Sequence, residues 1–166
     1  MTKHSLQLGW RETLQAVDVK QIQLLVDHTG FFSDDEIRIA VELIELGIKQ
    51  GEFSGYYFVI CELHGRIIGY SCFGDIPGTQ ASFDVYWIAV DLEFQGLGVG
   101  KEILLKTETI VRNKRGRRIY IDTSGRAQYQ PTHAFYEKSG YVLAARLKDF
   151  FSPGDDKFIF EKELKY

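Results

Sequence analysis

Hydrophobic positions recur at helical spacing in four stretches of the chain. This spacing predicts four α-helices, each with one buried face. Asp18 is expected to be the N-cap of the first helix, and Ser33 with Glu36 has the spacing of a capping box at the start of the second. We predict helices that begin at Asp18, run from Ser33 to Gly51, run from Val99 to before Gly116, and run from about Pro131 to Lys138.

The other apolar stretches are rich in β-branched and aromatic residues, which predicts strands. Residues 56–63 and 67–73 are separated by a short turn at His64-Gly65, so they are expected to pair as an antiparallel hairpin. Because helices return between strands in the second half of the chain, the order indicates a mixed α/β fold. Further strands are predicted near residues 6–10, 83–90, 118–123, 141–148 and 157–162.

Composition and charge are those of one globular domain. The 166 residues are 45% apolar and 26% charged, with a net charge of -3, so the chain can bury a core. No apolar run approaches the roughly 20 residues that a membrane span needs, and the first ten residues lack the pattern of a secretory signal. We therefore expect a single domain over residues 1–166, a cytoplasmic location, and partners other than nucleic acid or membrane.

The two cysteines, Cys61 and Cys72, flank the predicted hairpin turn. If the turn pairs Leu63 with Arg66, the thiols share one face of the hairpin but lie four residues apart along the strands. That separation is far beyond the roughly 7 Å between Cα atoms that a disulfide allows, so both are expected to be reduced core thiols. The chain has no Cys-x-x-Cys and only scattered histidines, which predicts no metal site.

The most informative stretch is a glycine-rich turn, residues 95–101, between the predicted strand 83–90 and a predicted helix. Backbone N–H groups converge there at the positive end of the helix dipole, an arrangement that binds phosphate. A P-loop is excluded because Gln95 stands where it needs glycine and Glu102 where it needs Ser or Thr. A dinucleotide fingerprint is excluded by Lys101, and the downstream sequence of a kinase is absent. A merely tight turn is the remaining alternative.

Two motifs at the proper separation carry a family resemblance. Gln95, Gly98 and Gly100 match the pattern Gln/Arg-x-x-Gly-x-Gly/Ala after a strand that ends in Ala-Val, and residues 135–141 look like an FYxxxGF segment. With these motifs the chain resembles, over residues 11–164, the GNAT superfamily of acetyl-CoA-dependent N-acetyltransferases. The resemblance implies a single GNAT-like α/β domain, with a mixed, mostly antiparallel central sheet of about seven strands flanked by helices.

The same resemblance implies acetyl-CoA as the cosubstrate and no metal. In the family this loop wraps the pyrophosphate of coenzyme A, and the strand before it splays from its neighbour. The backbone N–H at the position of Val90 then polarises the thioester carbonyl, which stabilises the developing oxyanion. The implied coenzyme-binding residues are Val90, Gln95, Gly96, Leu97, Gly98, Val99, Gly100 and Lys101.

Tyr136, the tyrosine of the FYxxxGF-like segment, is implied as the acid that protonates the departing CoA thiolate. A phenol with a pKa of about 10 donates to a thiolate whose conjugate acid is near 8.5 only modestly uphill, so the role is chemically reasonable. The alternative is a packed aromatic on a helix. Many members carry an asparagine seven residues earlier, where this chain has Tyr129, so the contacts assigned to that asparagine are not carried over.

Asp84 is the candidate general base. An amine arrives largely as an ammonium ion at neutral pH and must lose a proton before it attacks a carbonyl. By period-two alternation, Asp84 shares a strand face with Tyr86, Ile88 and Val90, and several members of the family keep a glutamate base at this place. The alternative is an exposed carboxylate at the end of a strand.

The combined prediction is an N-acetyltransferase that moves acetyl from acetyl-CoA to a primary amine of a small molecule or peptide by direct attack in a ternary complex. No cysteine lies in the motifs, so no acetyl-enzyme is invoked. Analogy with the family makes a homodimer possible. One alternative is a non-catalytic acyl-CoA sensor. Another is a nucleic-acid-binding module that uses the basic run Arg112, Lys114, Arg115, Arg117 and Arg118, although a solvated helix end explains that run more simply.

Overall fold

The computed structural model describes residues 7–165, which form an α/β domain with seven strands and four α-helices. Each predicted helix and strand is present; Leu6 of the predicted first strand lies outside the described residues. In chain order the elements are β1 (Gly9–Arg11), α1 (Asp18–His28), α2 (Asp34–Gln50), β2 (Tyr56–Leu63), β3 (Arg66–Asp75), β4 (Ser82–Val90), α3 (Val99–Asn113), β5 (Arg118–Ser124), α4 (Gln130–Lys138), β6 (Val142–Ser152) and β7 (Asp155–Glu163).

The strands form one sheet in the order β1-β2-β3-β4-β5-β7-β6. The β1/β2, β2/β3, β5/β7 and β6/β7 pairs are antiparallel, and β4/β5 is parallel, which confirms the predicted mixed sheet. The β4/β5 register runs from Ser82 beside Arg118 to Val85 beside Ile121, whereas β4 continues to Val90. The family resemblance predicts that the strand before the loop splays from its neighbour.

Residue contacts group the described chain into two compact units. The first comprises residues 7–74 together with Trp87–Thr109, and the second comprises Asp75–Tyr86 together with residues 110–165. β4 and α3 each contribute residues to both units.

The core of the first unit lies beneath α1 and α2. Ile22 of α1 and Ile44 of α2 are fully buried there, with Tyr70 and Cys72 from one face of β3. Ser71 points to the opposite face, where its hydroxyl lies 2.7 Å from the hydroxyl of Thr107 in α3. Helices therefore cover both faces of this part of the sheet, which explains why β3 is buried over most of its length.

The start of α2 confirms the predicted capping box. The Ser33 hydroxyl accepts a hydrogen bond from the Glu36 amide at 3.3 Å, and the Ser33 amide donates to the Glu36 carboxylate at 2.8 Å. The prediction for α1 was wrong by one residue, because Val17 is the N-cap and Asp18 is already helical. The buried Asp18 carboxylate accepts from Arg11, so it holds β1 beside α1 instead of capping the helix.

The hairpin of β2 and β3 confirms two reduced thiols but corrects their placement. Leu63 lies opposite Arg66 as predicted, yet a register shift places Cys61 opposite Gly69 and Cys72 opposite Phe58. The cause is a β-bulge, which adds a residue to β3 and turns the cysteines to opposite faces of the sheet. Burial raises the pKa of the Cys61 thiol to about 12 and that of Cys72 further.

The core of the second unit combines β4, β5, β7 and α4. Phe83, Ile119 and Phe160 are almost fully buried. Gly116, between α3 and β5, has no room for a side chain, since a Cβ would lie 2.3 Å from Val111 Cγ1 and 2.7 Å from Phe83 Cε2. Glycine therefore allows the close return of the chain from α3 into β5.

Candidate active site

The junction after β4 is fixed to β3 by Asp91. Its amide donates to the carbonyl of Ile68 at 2.9 Å, and its buried carboxylate accepts from the Glu93 amide at 3.0 Å. The same carboxylate forms an ion pair with Arg66 at the start of β3. Three contacts therefore set the direction in which the chain leaves the strand, before the glycine-rich loop begins.

The loop itself, residues 95–98, is shaped by backbone that favours glycine. Gly96 has φ 74° and Gly98 has φ 87°, both in the left-handed region. The Gln95 side chain donates to the carbonyl of Val90 at 3.1 Å, which closes the loop onto the end of the strand. The predicted residues from Val90 to Lys101 thus form one continuous strand, loop and helix start.

The amino end of α3 follows this loop directly. The Glu102 amide donates to the carbonyl of Gly98 at 3.1 Å, the helical i to i−4 spacing. The amides of Val99, Gly100 and Lys101 precede that bond, and the first amides of any α-helix lack a partner within it. Together with the dipole of a 15-residue helix, this end presents N–H donors suited to a phosphate group.

Buried contacts hold α3 at the depth that this arrangement needs. Val99 and Ile103 are buried on its inner face, and the Thr107 hydroxyl meets Ser71 of β3. A Cβ at Gly69 would lie 2.8 Å from Ile103 Cδ1, so glycine on β3 permits the close approach of the helix. The sequence motif does not include these contacts, which hold the helix that follows the loop against β3.

Tyr136, in the second unit, is buried on α4. Its ring centroid lies 5.6 Å from that of Phe160 and 6.1 Å from that of Tyr141. Burial raises the pKa of the Tyr136 phenol well above its ordinary value, so the hydroxyl keeps its proton at neutral pH. Tyr129, where many relatives have asparagine, is also buried, and the Arg126 guanidinium lies 5.6 Å from its ring centroid.

Asp84, also in the second unit, is half-buried on β4 beside Tyr120 of β5. Burial raises the pKa of its carboxyl group, Asp122 raises it further, and Lys157 lowers it. A carboxylate whose pKa is raised toward neutrality binds a proton more readily, which suits a base that takes a proton from an amine.

Sequence reasoning missed the charged residues Asp122 and Lys157. They belong to β5 and β7, and the Lys157 ammonium is ion-paired with the Asp122 carboxylate. The sequence predicts which face of its own strand each of these residues occupies. It does not predict that β5 pairs with β7, because β6 lies between them in the chain and outside them in the sheet.

Part of the basic run lies beside acidic residues. Arg118, from the basic run, lies 3.3 Å from Glu161 and 3.8 Å from Glu163, so acidic residues offset its charge. Among residues 7–165, no group of three or more potential ligands is placed to hold a metal ion. No helix in the described part of the chain is long and apolar enough to cross a membrane.

Comparison with known sequences supports the interpretation of the loop. Residues 23–141 match the profile of the acetyltransferase (GNAT) family. A comparison with curated proteins gave no significant match.

Solved structures share the whole fold. A protein from Desulfovibrio desulfuricans, assigned to the GNAT acetyltransferases, is 36% identical with a TM-score of 0.92, over 94% of this chain and 98% of that one. The PaiA N-acetyltransferase from Thermoplasma acidophilum, solved with coenzyme A, is 18% identical with a TM-score of 0.74, over 96% and 100% of the two chains. The ribosomal-protein-S18-alanine N-acetyltransferase from Escherichia coli is 16% identical with a TM-score of 0.76, over 96% of each chain.

Proposed function

The chain belongs to the acetyltransferase (GNAT) family, and we propose that it transfers an acetyl group from acetyl-CoA to a primary amine of a small molecule or peptide. The observation that carries this proposal is the connection from β4 to α3. Two left-handed glycines and the amides that open α3 offer closely spaced N–H donors to a doubly anionic pyrophosphate. The coenzyme bound to the Thermoplasma protein is consistent with this choice.

The proposed reaction is direct attack of the amine on the thioester. Asp84 takes a proton from the ammonium group, directly or through water, and the freed nitrogen forms a bond to the thioester carbon. The Val90 amide donates to the carbonyl oxygen as negative charge develops there. The C–S bond then breaks, the CoA thiolate takes the Tyr136 proton, and the amide nitrogen releases its second proton to solvent. Tyr136 regains a proton from water and Asp84 loses its proton to water, so the reaction releases one proton for each acetyl group transferred.

Burial has two opposed effects on the role given to Tyr136. A raised pKa keeps the phenol protonated at neutral pH and so available as a donor, but it also makes the phenol a weaker acid, so the transfer requires that the CoA thiolate becomes more basic when it is desolvated in the same site. The same burial makes this tyrosine unsuited to accept the proton of the amine. We therefore assign the base role to Asp84 and the acid role to Tyr136.

The test is an acceptor screen that measures release of the CoA thiol from acetyl-CoA with panels of small amines and of peptides with free amino groups. We expect release with one of these classes, and stabilisation of the protein by acetyl-CoA alone. Stabilisation by acetyl-CoA without transfer to any amine would favour a non-catalytic acyl-CoA sensor. Lack of both would remove the assignment of the loop as a coenzyme site.

A further inference from the structure

A charged pair that the proposed reaction does not use lies near Asp84 in the second unit. The Lys157 ammonium on β7 is ion-paired with the Asp122 carboxylate on β5. Asp84 lies beside Tyr120 in the β4/β5 register, and Asp122, two residues further along β5, is on the same face as Tyr120. Ser124, which also shares that face, lies opposite Lys157 in the β5/β7 register. Three adjacent strands thus place two carboxylates and one ammonium on one face of the sheet.

Lys157 is held in place from a second side. Its ammonium lies 4.7 Å from the ring centroid of Phe150, and its side chain is only 19% exposed, against 44% for Asp122. Phe150 belongs to an irregular stretch of β6 in which the Asp149 amide donates to the Asp156 carboxylate at 2.8 Å and the Gly154 amide donates to Asp149 at 2.7 Å. These hydrogen bonds order the backbone next to Phe150, whose ring lies against the ammonium. A shielded charge acts over a longer distance than a solvated one.

We propose that Lys157 is a positioning residue that keeps the Asp84 carboxyl group ionised, and so able to accept a proton, because its ammonium offsets the negative charge of Asp122 on the same face. The proposal rests on the proposed function, in which Asp84 takes the proton of the amine. Two carboxylates on one face oppose each other's ionisation, and an ammonium that is ion-paired with one of them offsets that effect.

The other neighbouring groups on β5 and β7 do not supply this balance. On β5 the neighbouring side chain is Tyr120, which is uncharged at neutral pH. Opposite Tyr120 on β7 is Glu161, whose charge is offset by Arg118 at 3.3 Å. The directions of the electrostatic effects agree with the geometry, since Asp122 raises the pKa of Asp84 and Lys157 lowers it.

The decisive experiment is a carbon NMR titration of the Asp84 carboxyl group in the coenzyme-free protein, with the resonance assigned by its loss in Asp84→Asn. Lys157→Met should shift the pKa of Asp84 upward, and Asp122→Asn should shift it downward. The double variant should return it toward the wild-type value, because it removes one charge of each sign. Lys148→Met, a change of the same charge at an exposed position of β6, serves as the control and should have a much smaller effect.

The inference is overturned if Lys157→Met leaves the pKa of Asp84 unchanged, or if both single variants shift it in the same direction. If Lys157→Met does not fold, Asp122→Asn decides alone, and the absence of a downward shift overturns the inference. Lys157→Arg should keep the wild-type titration because it retains the charge.

Kinetics separate this inference from the proposed function. If Asp84 is the base, the acid limb of kcat/KM against pH should move with the NMR titration, upward in Lys157→Met and downward in Asp122→Asn. If the NMR pKa moves in these directions while the acid limb does not, Lys157 still controls Asp84, and the assignment of Asp84 as the base fails.

Discussion

The glycine-rich loop and the face that carries Asp84 build their chemistry in different ways. The loop uses backbone N–H groups from one short stretch between Val90 and Glu102, and its shape is set by φ angles. The Asp84 face uses side-chain charges from β4, β5 and β7, which meet only after the sheet has formed. A backbone site is therefore vulnerable to one added Cβ, whereas a side-chain site can be tuned gradually by changing one charge at a time.

The largest effect is expected from Gly98→Val. A valine at φ 87° is strained by roughly 1–2 kcal/mol, and it disturbs the backbone that is proposed to meet the pyrophosphate. Acetyl-CoA at a hundredfold excess over its Kd should stabilise the wild type by about 2.7 kcal/mol and should not stabilise this variant. Thermal unfolding with and without acetyl-CoA measures both.

Gly78→Val is the matched control for that experiment. Gly78 has a similar φ of 78° and open space around it, in the loop between β3 and β4. This variant should lose comparable stability and keep its stabilisation by acetyl-CoA. If both variants respond to acetyl-CoA like the wild type, the loop is not the coenzyme site.

Tyr136→Phe is expected to lower turnover by roughly 10²-fold or more, as for loss of a positioned proton donor, with acetyl-CoA affinity within a few fold of wild type. The ring and its packing against Phe160 remain, so thermal stability serves as the control for folding. Turnover equal to the wild type, measured where chemistry limits the rate, would leave Tyr136 as a packing residue only.

Asp84→Asn is expected to lower kcat/KM about tenfold near neutral pH, less than the loss of the acid, because free amine and water can replace a base. The loss should shrink as pH rises. The pKa of Asp84 is raised in the folded protein, so its ionised form costs stability above that pKa. The variant should therefore be more stable than the wild type at neutral pH, and this gain should disappear below the pKa of an unfolded aspartate. Parallel pH–rate profiles for the two proteins would refute the base assignment.

Asp91→Ala tests how firmly the loop depends on its support. The change removes the acceptor of the Glu93 amide and the ion pair with Arg66, and loss of such a cap costs about 0.5–2 kcal/mol. We expect acetyl-CoA affinity to fall by a few fold, because the backbone N–H donors of the loop are all still present but are less well ordered. Arg66→Met, which keeps the capping contact, should have a smaller effect. Calorimetric titration with acetyl-CoA compares the two, and equal affinity in all three proteins would contradict the role.

The smallest effect is expected from Tyr70→Phe. The Tyr70 hydroxyl is buried in the core under α1 and α2, with no hydrogen-bond partner within the part of the chain that is described. Its removal should stabilise the protein by about 1 kcal/mol, since an unsatisfied buried hydroxyl costs roughly that much. Denaturant unfolding measures the gain, and turnover should not change. A loss of stability would show that the hydroxyl has a partner.

The difference between the two regions also explains what the sequence could predict. The loop was predictable because Gln95, Gly98 and Gly100 are neighbours in the chain and their spacing carries the geometry. The capping box at Ser33 and the alternation along β4 are local in the same sense. Local patterns are set by backbone geometry over a few residues, so they can be recognised directly in the amino-acid sequence.

Errors arose where a distant partner decided the outcome. Asp18 is turned from its capping role by Arg11, and the bulge in β3 moved Cys61 away from its predicted partner. The charges around Asp84 could not be assembled without knowing that β7 inserts between β5 and β6. The geometry of these contacts follows from the sheet as a whole, which no short window of sequence specifies.

The burial of the two cysteines makes the release of coenzyme A simple to measure. Both thiols are buried and hold their protons at neutral pH. An electrophilic reagent that depends on attack by a thiolate therefore reacts with them slowly while the protein is folded. Released coenzyme A can therefore be detected colorimetrically in the presence of the intact enzyme with little background. The slow reaction that does occur reports how often the β2/β3 hairpin opens to solvent, so the same reagent measures the rate of local unfolding in the first unit.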